Sequence, residues 1–149
     1  MKLSIIGSGS VGGQAAFASA ERGFASSIVL LDTCAQLAQA KALDIQHAMV
    51  MQGVTSSIVG TDDWQCTAHS DVIVITAGFA RRPGMKRRDL LSVNAEIVRN
   101  VAIEAARYSP DSILIVVTNP VNSMSMLVQQ VTRFPSQRVI GMGGVLDNA

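Results

Sequence analysis

With 149 residues, the chain is long enough for one domain that buries a sizeable core. Hydrophobic residues make up 48% of it and charged residues 15%, and the formal net charge of +1 argues against a general nucleic-acid binder. No apolar run approaches the roughly 20 residues of a membrane-spanning helix. Two cysteines are too few for a disulfide framework and lack metal-ligand spacing. With Met1 directly before the first strand, leaving no room for a targeting peptide, we expect a cytoplasmic protein without a metal.

The first dozen residues combine a short apolar strand with a glycine-rich turn. Leu3, Ile5 and Ile6 form a run that is typical of a strand buried on both faces. The run stops at Gly7, and a helical pattern follows from Val11. Strand, glycine turn and helix in this order is the setting in which G-x-G-x-x-G predicts dinucleotide binding.

The turn Gly7-Ser8-Gly9-Ser10-Val11-Gly12 supplies the three glycines of this motif. Gly7 allows the tight turn, Gly9 lets the backbone approach a pyrophosphate, and Gly12 lets helix and strand pack closely. The N–H groups at the helix start then face the phosphates, and the helix dipole favours negative charge there.

An acidic residue strengthens this interpretation, because glycines alone also serve ordinary tight turns. The second predicted strand, Ser27–Leu31, ends in Asp32, about twenty residues after the turn. An acid at that distance can accept hydrogen bonds from the adenosine ribose hydroxyls of a dinucleotide. The alternative is a surface aspartate that closes a strand, and the complete strand–helix–strand context disfavours it.

The rest of the chain continues to alternate helices with apolar strands. We predict helices at 35–51, 89–108 and from 122 to about 132, and strands at 54–59, 71–76, 112–117 and 138–141. The buried stripe of the long helix at 89–108 is predicted to comprise Leu90, Val93, Ile97, Val98, Val101 and Ala105. This alternation predicts an α/β fold, a doubly wound parallel sheet of about six strands in a single Rossmann-type domain. In such sheets the ligand lies beyond the carboxyl ends of the strands.

A basic loop follows the predicted strand at 71–76. It holds five cations between Arg81 and Arg88. A solvated loop or a nucleic-acid contact would also explain such a run, but no basic stripe or interleaved aromatic accompanies it. The loop follows a strand end beside the predicted cofactor site, and arginine suits bidentate carboxylate recognition. A small anionic substrate is therefore the favoured interpretation.

Several motifs, in order along the chain, resemble the NAD-dependent lactate and malate dehydrogenases, most closely the lactate-dehydrogenase-like type of malate-specific enzyme. The resemblance covers essentially all 149 residues. The motifs are the glycine turn, Lys41-Ala42-Leu43-Asp44, Thr76-Ala77-Gly78, Ala80-Arg81-Arg82-Pro83-Gly84-Met85-Lys86-Arg87, Val117-Thr118-Asn119-Pro120, and Val139-Ile140-Gly141 followed by Val145-Leu146-Asp147.

The resemblance implies a cofactor site for NAD. Its predicted residues are Gly7, Ser8, Gly9, Ser10, Val11, Gly12, Asp32, Thr76, Ala77, Gly78, Val117 and Asn119. It also implies a substrate site for a small dicarboxylate, malate or oxaloacetate. There Arg87 would polarise the reacting carbonyl, Arg81 would hold the distal carboxylate, and Asn119 would hydrogen-bond the substrate oxygen. Asp147 resembles the aspartate that orients the catalytic histidine. Lactate-specific members carry an uncharged residue in place of Arg81.

The chain departs from the family pattern at its end. The family's catalytic histidine lies in a Gly-x-His-Gly-Asp context of a later, carboxyl-terminal substrate domain, and neither His47 nor His69 lies in one. Residues 1–149 are therefore expected to form the NAD-binding domain alone, inactive by itself, of a homo-oligomeric, cytoplasmic enzyme of the tricarboxylic acid cycle. Another 2-hydroxyacid dehydrogenase of lactate type and a noncatalytic NAD-binding module remain the alternatives.

Overall fold

The computed structural model describes residues 1–80 and 83–143, and only the backbone of Arg87. The strands are β1 (Lys2–Ile6), β2 (Ser27–Leu31), β3 (Ser57–Thr61), β4 (Val72–Ile75), β5 (Ile113–Val116) and β6 (Val139–Gly141). The α-helices are α1 (Ser10–Glu21), α2 (Ala35–Met51), α3 (Arg87–Tyr108) and α4 (Val121–Thr132), and two 3₁₀ turns lie at Trp64–Thr67 and Ser136–Arg138.

The six strands form one parallel sheet in the order β3-β2-β1-β4-β5-β6. β1 lies at the centre, where Ile5 pairs with Leu30 of β2 on one side and with Val74 of β4 on the other. The chain moves outward from β1 through β2 to β3, then returns to the centre and moves the other way through β4 to β6. The predicted doubly wound parallel sheet is confirmed. The order of strands reverses between β1 and β4, which is where such sheets bind ligands.

Two apolar clusters cover the two faces of this sheet. Leu3 and Ile5 belong to a cluster with the alanine-rich helices α1 and α2, whereas Ile6 belongs to a larger cluster with α3 and α4. Neighbouring residues of a strand point to opposite faces, so both faces of β1 are covered and its residues from Leu3 onward are removed from solvent. Leu3, Ser4, Ile5 and Ile6 are all buried, as the apolar run predicted for the hydrophobic three.

Two sequence-based details are wrong. The third strand is Ser57–Thr61 and not 54–59, because the Val54 N–H closes the end of α2 on the Met49 carbonyl at 2.9 Å. The predicted stripe of α3 is also displaced at one position. Val93 is 38% exposed, and its neighbour Asn94 is completely buried in its place.

Candidate functional site

A cleft of about 540 Å³ opens at the carboxyl ends of the central strands. Its size suits a cofactor or small ligand. The lining residues come from the ends of β1 and β2, the turns after β1, β2 and β4, the start of α2, the 3₁₀ turn at Trp64 and one side of α3. They are Ile6, Gly7, Gly9, Leu31, Asp32, Thr33, Leu37, Trp64, Thr76, Ala77, Gly78, Phe79, Ile97, Asn100, Val101 and Glu104. The glycine turn and the acid predicted from separate stretches of sequence thus face one cleft.

Backbone hydrogen bonds join the glycine turn to the end of β2. The Gly7 N–H donates to the Leu31 carbonyl at 2.7 Å. The next N–H, that of Ser8, donates to Oδ2 of Asp32, also at 2.7 Å. The position of the carboxylate is therefore fixed relative to the turn.

Four donors surround the Asp32 carboxylate. Oδ2 accepts from the N–H and, at 2.9 Å, from the hydroxyl of Ser8. Oδ1 accepts from the Cys34 N–H at 3.1 Å and, more weakly, from the Thr33 hydroxyl at 3.5 Å. Burial raises the pKa of Asp32, but these hydrogen bonds outweigh it and hold the pKa below its ordinary value. The carboxylate is charged at neutral pH, and its two hydroxyl donors can rotate aside for a ligand.

The three glycines of the turn meet different surroundings. Gly7 has φ of +103°, and a Cβ there would lie 2.7 Å from the Ala77 nitrogen. A Cβ on Gly12 would overlap the Gly7 carbonyl oxygen, because the first turn of α1 packs directly on the loop. Around Gly9, by contrast, no atom lies within 4 Å of where a Cβ would stand. Packing within the chain therefore explains why positions 7 and 12 need glycine. At Gly9 the chain leaves open space in the cleft.

Two threonine hydroxyls, those of half-buried Thr76 and buried Thr118, link the strand ends. Thr76, after β4, donates to the Gly7 carbonyl at 2.9 Å and lies 3.1 Å from that of Ile6. Thr118, after β5, donates to the Ala77 carbonyl at 2.8 Å. The ends of β1, β4 and β5 are thus linked in sequence across the sheet.

Asn94 of α3 makes the third tie and is completely buried. Its Oδ1 accepts from the Phe79 N–H at 2.8 Å, and its Nδ2 donates to the carbonyls of Phe79 at 3.2 Å and Asn119 at 2.8 Å. Gly78 packs against it, with φ of +157° and a would-be Cβ 3.1 Å from Oδ1. One side chain thereby holds the start of the loop after β4 against the loop after β5.

This arrangement fits a dinucleotide such as NAD. Space lies over Gly9 for a pyrophosphate, and the N–H groups of the first turn of α1 have no acceptor within the helix. The charged Asp32 can accept from the two hydroxyls of a ribose. An apolar wall of Leu37, Trp64 and Val101 completes the cleft and suits a planar ring. In the described part of the chain, no three His, Cys, Asp or Glu side chains are grouped to hold a metal, and no helix is long and apolar enough to cross a membrane.

Six of the predicted cofactor residues line the cleft, namely Gly7, Gly9, Asp32, Thr76, Ala77 and Gly78. Ser8 and Gly12 are buried beneath the turn, whereas Ser10 and Val11 are exposed at the start of α1. Val117 and Asn119 follow β5 outside the lining, and Asn119 reaches the other loop only through Asn94. The predicted substrate residues Arg81 and Asp147 and the side chain of Arg87 lie outside the described residues.

Three side-chain contacts at the site were not predicted from sequence. The roles of the Ser8 and Thr118 hydroxyls and of Asn94 depend on contacts between residues far apart in the chain. The one available signal was Asn94 itself, an amide inside an otherwise apolar helical stripe. A buried polar side chain requires partners, and its partners are here the two loops.

Comparison with known proteins identifies the relatives of this chain. The sequence profile of the lactate/malate dehydrogenase NAD-binding domain matches residues 1–141. A malate dehydrogenase of Synechocystis sp. is 50% identical over 148 residues, which are 99% of this chain and 45% of that protein. The chain spans about half the length of the relatives it matches.

Solved structures agree with the sequence comparison. The malate dehydrogenase of Archaeoglobus fulgidus in complex with NADH superposes with a TM-score of 0.93 at 37% identity, over 96% of this chain and 49% of that one. The lactate dehydrogenase of Cryptosporidium parvum, in complex with lactic acid and nicotinamide adenine dinucleotide, gives 0.92 at 42% identity, over 98% and 46%. A malate dehydrogenase and a lactate dehydrogenase are thus about equally similar in structure to this chain.

Proposed function

Because the chain belongs to the lactate/malate dehydrogenase family, of which it forms the NAD-binding domain, we propose that the complete protein interconverts malate and oxaloacetate by NAD-dependent hydride transfer. One observation carries the cofactor half of this proposal. The glycine turn and the charged Asp32 are hydrogen-bonded to each other and face one cleft.

The cofactor residues have distinct roles in this proposal. Gly7, Gly9 and Gly12, with the N–H groups of Ser10 and Val11, receive the pyrophosphate at the start of α1. Asp32 accepts from the adenosine ribose hydroxyls in place of the Ser8 and Thr33 hydroxyls. Thr76, Ala77 and Gly78 border the path of the cofactor across the sheet, and Val117 and Asn119 meet its nicotinamide end.

The substrate residues follow the same strand ends. Arg81 pairs with the distal carboxylate of a dicarboxylate through its planar fork. Arg87 polarises the reacting carbonyl and stabilises the charge that develops on its oxygen. Asn119 donates a hydrogen bond to that oxygen. NAD, when bound, supplies the hydride acceptor for oxidation of malate.

The proton of the substrate hydroxyl needs a base, and in this proposal a histidine outside residues 1–149 supplies it. The two histidines of this chain, His47 and His69, are exposed and occur outside any Gly-x-His-Gly-Asp sequence. Asp147 orients the catalytic histidine of the family's second domain in this proposal. The 149-residue chain alone is expected to bind NADH and to give no turnover.

A lactate-type 2-hydroxyacid dehydrogenase is the second candidate. The lactate dehydrogenase of Cryptosporidium parvum resembles this chain as closely in structure as the malate enzymes do. The fold therefore does not separate the two substrates. Arg81 favours the dicarboxylate, because a second carboxylate needs a cation opposite it.

Substitution of Arg81 in a protein that carries both domains tests the substrate. Arg81→Gln should raise the activation barrier that kcat/KM reports for oxaloacetate by about 2–5 kcal/mol, the cost of leaving one member of a buried charge pair alone. That cost corresponds to a factor of roughly tens to thousands. Pyruvate has no distal carboxylate and should be far less affected.

Two further variants complete this experiment. Arg87→Gln should depress turnover of both keto acids, because its contact is with the reacting carbonyl. Arg88→Gln removes an exposed arginine of the first turn of α3 and serves as the control for the lost charge. Equal losses for oxaloacetate and pyruvate in Arg81→Gln would reject a malate-specific enzyme.

We propose in addition a homo-oligomeric, cytoplasmic enzyme of the tricarboxylic acid cycle. Apolar side chains on α2 support the oligomer: Leu43 is 56%, Val50 66% and Met51 88% exposed. Exposed apolar side chains on one helix favour association. Sedimentation over a concentration series distinguishes an oligomer from a monomer.

A further inference from the structure

Lys41 reaches from α2 to the glycine turn. Its Nζ lies 3.2 Å from the Gly9 carbonyl oxygen, which also accepts the Gly13 N–H at 2.9 Å. The side chain crosses the first turn of α1 over Gly13, where a Cβ would lie 3.1 Å from Nζ and 3.4 Å from Cδ. A glycine on α1 thus provides the space through which a lysine of another helix reaches the turn.

The two hydrogen bonds to the Gly9 carbonyl fix the orientation of one peptide unit. In a planar trans peptide, the C=O of Gly9 and the N–H of Ser10 point in opposite directions. Because the carbonyl is held on the helix side, the Ser10 N–H must face away from the helix start. That N–H is one of the first-turn donors without an acceptor in the helix.

The charge of Lys41 is unexpected at this position. The positive end of the α1 dipole favours acidic groups, yet the first turn of α1 contains none, and a cation lies beside it. Within the described ranges, the single ion pair joins Arg107 to Glu104, so no carboxylate neutralises Lys41. Two sources of positive potential therefore add together next to the open space over Gly9.

We propose that Lys41 is a positioning residue for the pyrophosphate of NAD. It orients the Gly9–Ser10 peptide so that the Ser10 N–H faces the phosphates, and its ammonium adds positive potential there. This inference rests on the proposed binding of NAD at the turn.

Binding of three ligands to the 149-residue chain tests the inference. Dissociation constants are measured for NADH, ADP-ribose and adenosine with the wild type, Lys41→Met and Lys41→Arg. Methionine keeps the apolar stem over Gly13 and removes the ammonium. Lys2→Met is the matched control, because Lys2 also donates to a backbone carbonyl, that of Ala68 at 2.7 Å, and lies at the opposite, amino-terminal end of β1.

Lys41→Met should weaken NADH and ADP-ribose by the same factor, roughly three- to tenfold, as expected for a charge near a helix terminus. Adenosine, which has no phosphate, should bind as it does to the wild type. The deficit should shrink as salt is added, because screening removes the electrostatic part. Lys41→Arg should recover much of the affinity, and Lys2→Met should lose none.

Gly13→Ala provides a second and independent variant. Its methyl group would displace the Lys41 ammonium while improving helix propensity. It should therefore weaken NADH without lowering the thermal stability of the chain.

Two results would overturn the inference while leaving NAD binding intact. One is unchanged NADH affinity in Lys41→Met, and the other is an equal loss for adenosine, which would indicate general disturbance of the cleft. A wild-type chain that fails to bind NADH would instead overturn the proposed function, and this inference with it.

Discussion

The two halves of the sheet meet the cleft with different kinds of group. The half formed by β1, β2 and β3 presents backbone atoms of the glycine turn and the single carboxylate of Asp32. The half formed by β4, β5 and β6 presents loops that are linked to each other and to the glycine turn by hydrogen bonds of Thr76, Thr118 and Asn94. The first half offers a ligand one carboxylate and the N–H groups of a helix start, whereas the second lines the cleft with Thr76, Ala77 and Gly78 and also positions the residues that follow its strands.

The residues of the glycine turn and those that hold the loops after β4 and β5 can therefore be changed separately. A change to the turn should act on its packing or on the cofactor, depending on which glycine is altered. A change to the buried amide of Asn94 should loosen the loops after β4 and β5 while leaving the glycine turn in place. Mutations can therefore address the two halves one at a time.

The largest expected effect is that of Gly12→Ala. The added methyl group would overlap the Gly7 carbonyl and approach the Thr76 hydroxyl, so α1 must move off the turn. We expect a loss of about 3 kcal/mol in the free energy of unfolding, at the upper end of the cost of overpacking. Urea unfolding measures it, and an unchanged midpoint would show that the turn is less tightly packed than described.

Asn94→Leu should act on the other half. Leucine is similar in size but leaves the Phe79 N–H and the Asn119 carbonyl without their partner, at a cost of about 2–3 kcal/mol in the free energy of unfolding. Hydrogen exchange should quicken at the Phe79 amide and stay slow at Gly7. Asn100→Leu, an exposed amide of the same helix, is the control and should change stability little. Exchange that quickens equally at both amides would contradict the separation of the halves.

Asp32→Asn should alter cofactor choice without a large effect on the loops. A charge-assisted hydrogen bond contributes roughly 1.5–3 kcal/mol, so NADH affinity should fall about tenfold or more. NADPH should lose less or gain, because the wild-type carboxylate repels a 2′-phosphate. Titration of both cofactors measures the ratio, and tighter binding of NADPH than NADH by the wild type would contradict the role of Asp32.

The same variant tests the pH dependence. The pKa of Asp32 in the folded chain is below its ordinary value. The charge of Asp32 and the stability that it contributes are therefore fully present at any pH above the ordinary pKa of an aspartate. Both should be lost only as the pH falls through the lowered pKa. NADH affinity should therefore stay constant from pH 8 to about 5 and decline below about 4 in the wild type. Asp32→Asn should lack that step.

The first half of the site was predictable from sequence because its requirements are local. Gly7 and Gly12 are needed for a turn within six consecutive residues, and Asp32 follows an apolar strand directly. The helix bounds of α2 and the parallel sheet were predictable for the same reason, since apolar periodicity and strand spacing are local patterns. The confirmed elements are therefore mostly those that one stretch of chain determines.

The second half was less predictable because its contacts join distant residues. Asn94 bonds to positions 15 and 25 residues away, and although its amide is unusual in an apolar stripe, nothing local shows that it is buried and Val93 beside it exposed. The displaced third strand has a similar cause. Gly60 packs against the backbone of Ala38 in α2, and pairing with β2 sets the register of Ser57–Thr61. Arg81, Arg87 and Asp147 remain predictions.

Gly9→Ala tests the central claim, that the turn contacts the cofactor through its backbone, most directly. Gly9 has a negative φ and open space where the methyl group would stand, so the chain itself should tolerate alanine. We predict an unchanged or slightly higher melting temperature together with NADH affinity at least roughly tenfold weaker, since the methyl group occupies the space of the pyrophosphate. Wild-type NADH affinity in this variant would contradict the claim.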